Sequence, residues 1–63
     1  MIRKNGQDLA QRHRVSQAQG IVSLQAHCPF GEALAMMNER AKSIGQTLQD
    51  VADGVLNNRI FFN

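Results

Sequence analysis

The sequence predicts an all-α protein, a compact three-helix bundle with an extended first helix. Three observations carry that expectation. No stretch alternates polar and apolar residues long enough to read as a strand. Apolar residues recur at helical spacings in three separate segments, and breaks around Pro29 and Gly45 divide those segments from one another. With 63 residues there is room for one domain near the lower size limit for folding alone, where about 60% of the unfolded surface is buried.

The first helix is expected over roughly residues 7–26. Val15, Ala18, Val22 and Ala26 form its apolar stripe, with Ile21 beside it. Gly20 lies inside this segment, where it costs about 1 kcal/mol relative to alanine, so a close helix–helix approach is the expected reason for it. Ile2 and Leu9 place two apolar residues seven apart, a faint sign that the helix extends toward a coiled coil. The break falls at His27-Cys28-Pro29, because proline cannot continue a helix but is well placed to begin one.

A second helix follows over Phe30 to Ile44, with Ala33, Met37, Ala41 and Ile44 facing inward and Leu34 and Met36 widening the stripe. Gly45 can take the left-handed conformation that closes it. Thr47 with Asp50 three residues later reads as a capping box for a third helix carrying Leu48, Val51, Ala52, Val55 and Leu56; Gly54 weakens that helix, and Asn57-Asn58 ends it. Ile60-Phe61-Phe62 then forms a short apolar tail that packs back over the bundle or is exposed at a partner interface, packing back being preferred. The chain thus divides into a helical extension or linker (1–12), a three-helix domain (13–57) and the tail (58–63).

Composition excludes several classes of function. Cys28 is the sole cysteine, so no disulfide forms within the chain, and with His13 and His27 it offers no spacing typical of a zinc site. No metal and no cofactor are expected. The carboxylates after residue 14 fall on helix surfaces or at caps, Glu32 and Asp50 in first turns where the helix dipole favours them. Cys28 beside His27 lacks a third orienting group, and phosphate-loop glycines are absent, so the chain is not expected to be an enzyme. Met36 and Met37 are adjacent and cannot both line one face, so at least one belongs to the core. No apolar run is long enough for a signal peptide or a membrane span, and a cytoplasmic location is expected. Self-association, or attachment to a larger protein, is the expected source of extra stability.

Charge is unevenly distributed. Arg3, Lys4, Arg12 and Arg14 against Asp8 give the first fourteen residues +3, and Arg40, Lys42 and Arg59 against four acids leave the remainder at −1. A basic arm beside a near-neutral core suits an anionic partner, although a solvated helix end accounts for it about as well.

The string Ser16-Gln17-Ala18-Gln19-Gly20-Ile21-Val22, then Glu32-Ala33-Leu34 with Met36-Met37 and Ala41, then Leu48-Gln49-Asp50-Val51-Ala52, resembles the ANTAR family over about residues 13–56. That family is the RNA-binding output domain of bacterial transcription antitermination regulators. Its usual blocks are Gln-Ala-Lys-Gly-Ile-Leu, a helix opening on Glu-Ala, and Leu-x-Asp-Val-Ala, and all three recur here in order. The resemblance implies a module that binds paired hairpins in leader transcripts, acts as a homodimer, and answers to a sensor or receiver domain, which would lie outside this chain. Dimerisation would raise affinity through effective concentration.

Under that resemblance Gln19 stands at the family's lysine and is the first contact candidate, followed by Gln17. Ala18 and Gly20 match the motif, their small size serving close packing. Gln46, Thr47 and Gln49 occupy the loop and first turn where the family is often polar or basic, with capping the expected role of Thr47. Charge alone adds Arg12, Arg14, Arg40 and Lys42. Without Trp or Tyr, arginine and glutamine would do most of the base recognition, while Phe30, Phe61 and Phe62 are expected to serve packing. Because basic family positions are lost at Gln19 and Gln46, the alternative is a helical dimerisation module that has lost RNA binding. A DNA-binding bundle is a third reading, poorly served by Gln49, Asp53 and Asn57 on the third helix.

Overall fold

A computed structural model describes residues 2–63, with side chains at position 10 and from position 12 onward. Three helices follow one another: α1 (Ile2–Ala26), α2 (Phe30–Ile44) and α3 (Leu48–Leu56), and each packs against the other two. No strand is present among the described residues. None of the helices is long and apolar enough, over those residues, to cross a membrane. α1 starts at Ile2, five residues before the segment marked by its apolar stripe, as the extended first helix that the sequence predicts. Its 25 residues span about 37 Å against about 13 Å for the nine of α3, so α1 cannot be matched along its length by its neighbours. The accessible surface, 4619 Å², exceeds the roughly 4,000 Å² of a compact 7.0 kDa protein accordingly. The side chains of Ile2 and Leu9, the coiled-coil positions, lie outside the described residues.

The core is a small cluster: Ala18 and Val22 from α1, Ala33, Met37 and Ala41 from α2, Val51, Ala52 and Val55 from α3, and Phe62 from the tail. The helical members lie on the expected stripes. Four of the nine are alanines, which let helix axes approach closely but contribute little burial each. Phe62 is therefore a large share of the apolar surface removed from water. Ile44, expected on the inner stripe, is nearly half exposed, because it is the last residue of α2 where the chain turns away.

Local signals set the ends. The Thr47 hydroxyl accepts the amide of Asp50 at 3.1 Å, and the Asp50 carboxylate accepts the amide of Thr47 at 3.2 Å, completing the capping box. Each C-terminus closes on a residue with positive φ: His27 (55°), Gly45 (69°) and Asn58 (59°). The following amide then reaches back five residues, Cys28 to Ser23 O, Gln46 to Ala41 O and Arg59 to Gly54 O, the bond of a Schellman motif. Ser23 Oγ also donates to Cys28 O at 2.5 Å, fixing the α1–α2 turn, and Cys28 Sγ lies 3.8 Å from Met36 Sδ.

The tail packs back. Phe62 is buried, its amide donates to Gln25 Oε1 at 3.0 Å, and Arg40 holds it from α2, with Nη2 donating to Phe61 O at 3.4 Å and the guanidinium 4.3 Å over the Phe62 ring. One expectation about small residues is reversed. A Cβ at Gly20 would meet nothing within 4 Å, so no close helix approach explains it, whereas a Cβ at Gly54 would fall 2.5 Å from Ile60 Cδ1. The tight contact is α3 against the tail. Phe30 and Phe61 are half exposed and contribute less packing than expected, each lying at the edge of an element with its backbone, not its ring, bonded to a neighbour.

Candidate nucleic-acid interface

Residues 12, 15, 16 and 19 recur at three and four along α1 and so share one face of the helix. Against that face α3 sets its first turn. Between them lies an open groove of about 410 Å³. Val15, Leu34 and Leu48, one from each helix, give it an apolar floor; Arg12, Ser16 and Gln49 stand at its rim and are exposed; Gln19 closes one side. Arg12 makes no ion pair with any described residue.

Gln19 departs most from expectation. It is 8% exposed, and its Nε2 donates to Phe30 O at 2.8 Å, joining α1 to the start of α2. A carbonyl can only accept, so the bond fixes which end of the amide faces it. The Oε1 atom has no partner among the described residues and is not a sealed, unsatisfied atom, and Gln19 is one of the residues that line the groove. The residue is a fixed part of the wall and not a mobile contact reaching outward.

The remaining candidates divide by the work their neighbours give them. Arg14 is held by Asp53 of α3, Nη1 to Oδ1 at 2.6 Å, with both side chains substantially exposed. Arg40 is engaged with Phe61 and Phe62 on the opposite side of α2. Thr47 caps α3, and the Gln46 amide closes α2, its side chain exposed. Gln17 and Lys42 are exposed, on α1 and near the end of α2. The structure thus brings Arg12, Gln19 and Gln49 to one groove and leaves Arg40 elsewhere. Sequence reasoning did not single out Ser16, Val15, Leu34 and Leu48 as groove residues. The signal for the first two was the stripe they share with Arg12 and Gln19; Leu34 and Leu48 carried none beyond apolarity.

A second hollow, about 350 Å³, is lined by Met36, Glu39, Arg40, Ser43 and Phe62. Among the described residues no group of three or more His, Cys, Asp or Glu comes together to hold a metal. No family model, no characterised protein and no solved structure matches the chain.

Proposed function

We propose that this chain is the RNA-binding module of a bacterial transcription antitermination regulator, working in the cytoplasm on paired hairpins in leader transcripts. The observation that carries the reading is the groove between α1 and α3, which joins a cation, two amides and a hydroxyl over an apolar floor. The ANTAR-like order of the three sequence blocks supplies the class of RNA.

Of the basic candidates, Arg12 is the main phosphate contact, with Lys42 beside the polar turn of Gln46 and Thr47 and with Arg14 once it leaves Asp53. A salt titration of binding to a two-hairpin leader RNA, with a scrambled duplex and DNA hairpins as competitors, tests the reading. Selective binding is expected, with log Kobs falling as log salt rises. Gln49→Lys should strengthen it and Arg12→Ala should weaken it, lowering the salt slope by about 0.7 to 0.9. Equal or absent binding to all three nucleic acids would refute the proposal.

The second reading is a helical dimerisation module without RNA binding. Leu24, Phe30, Ile44 and Phe61 favour it, since large apolar side chains are exposed here, Leu24 at 77%. Sedimentation at high protein concentration separates the two: a monomer that binds hairpins excludes this alternative. In the RNA reading the same residues serve a homodimer, and a sensor or receiver domain outside this chain controls its formation.

A further inference from the structure

The groove between α1 and α3 supports a more specific statement, which rests on the RNA reading above. We propose that it receives one unpaired nucleobase bearing an exocyclic amino group, with the phosphate of that nucleotide on Arg12.

Three features of the site define this occupant. The floor of Val15, Leu34 and Leu48 is aliphatic, and it is suited to burying the flat face of a ring while the rim stays polar. The amide of Gln19 is oriented by the bond from its Nε2 to Phe30 O, so the amide atom left without a partner is the acceptor Oε1, and turning the amide over to present a donor would break that bond. Adenine, cytosine and guanine carry an amino group that donates to such an oxygen. Uracil offers only its N3–H, flanked by two carbonyl oxygens that the amide oxygen repels, and is disfavoured. Gln49, exposed on the opposite rim, has both donor and acceptor ends free to match the rest of the base edge.

Arg12 lies two turns from Gln19 on the same face of α1, about 10 Å along the axis, so a base against Gln19 leaves its backbone running toward the guanidinium. The base must be unpaired, because a paired one has its edge occupied and its faces stacked. Loop nucleotides of a hairpin meet that condition and duplex nucleotides do not. Without an aromatic ring in the groove, selectivity comes from the amides and not from stacking.

The test is a titration of the isotope-labelled chain with AMP, CMP and UMP, with ribose 5-phosphate and adenosine as partial ligands, followed through the side-chain amide signals of Gln19 and Gln49. AMP and CMP should shift both signals at concentrations about threefold to tenfold below those UMP requires, the range one hydrogen bond supplies. Ribose 5-phosphate should leave them unmoved. Arg12→Ala should weaken AMP and leave adenosine unchanged. Ser16→Trp adds a large side chain at an exposed helical position; it should fill the groove and abolish the shifts while the backbone spectrum stays that of a folded domain. Equal response to the three nucleotides, or undiminished binding in Ser16→Trp, overturns the proposal. Hairpin RNA that binds the wild-type chain and Ser16→Trp equally also overturns it while leaving the RNA reading intact. Nucleotide binding in the groove without hairpin binding would sustain the pocket and remove the RNA module.

Discussion

Arg12 and Arg40 each stand beside a hollow in the same small domain, yet the two hollows are built for different ends. At the α2–tail hollow, Arg40 is engaged from two sides, by the carbonyl of Phe61 and the ring of Phe62. At the α1–α3 groove, Arg12 is exposed, and polar groups on two helices face the same space. The first arginine closes the fold, and the second is available to a ligand. Residue type and net charge do not distinguish them; what the neighbouring backbone offers does.

The most severe way to break the comparison is Phe62→Ala. Removing a buried aromatic from a core rich in alanine should cost about 3 kcal/mol or more, a large part of the stability of a domain this size. Chemical denaturation measures it, and a loss under about 1 kcal/mol would show that the tail is dispensable. Gly54→Ala comes next. A methyl group 2.5 Å from Ile60 Cδ1 forces the Ile60 side chain to shift, at about 1–3 kcal/mol, against a helix gain of about 1 kcal/mol. A lower melting temperature is expected, and a raised one would mean that Ile60 yields freely.

The arginines themselves give a paired experiment. Arg40→Ala should lower stability by about 1 kcal/mol and leave the salt dependence of hairpin binding unchanged, while Arg12→Ala should do the reverse. If both variants altered the same property, the division of labour between the hollows would be gone. The smallest effect is expected from Gly20→Ala, which meets open space and should raise stability by about 0.5–1 kcal/mol in a thermal melt. It sharpens the contrast with Gly54, because the same substitution on the same kind of element should act with opposite sign.

What could be read in advance was local. Pro29, Gly45 and the Thr47–Asp50 pair act within a few residues of themselves, and the boundaries of α2 and α3 followed from them. The apolar stripes gave the helical core for the same reason. The close contact at Gly54 was not legible, because it depends on Ile60 returning over α3, a docking that no periodicity announces. The inward turn of Gln19 was hidden likewise: a polar residue beside Ala18 reads as exposed until the Phe30 carbonyl, eleven residues on, provides its bond. Arg12 was chosen from charge, Gln19 and Gln49 from family-like position, and that they meet in one groove required the packing of α1 against α3.

The alanine-rich core also sets how the domain responds to temperature. Heat capacity on unfolding follows the apolar surface newly exposed to water, which for an average chain of this length comes to about 0.8–0.9 kcal/mol/K. A cluster in which four of nine members are alanines, each with a single methyl as its side chain, exposes less than that average. The stability curve is correspondingly shallow, with little curvature toward the cold, so the domain keeps a nearly constant margin across ordinary growth temperatures and melts over a broad interval.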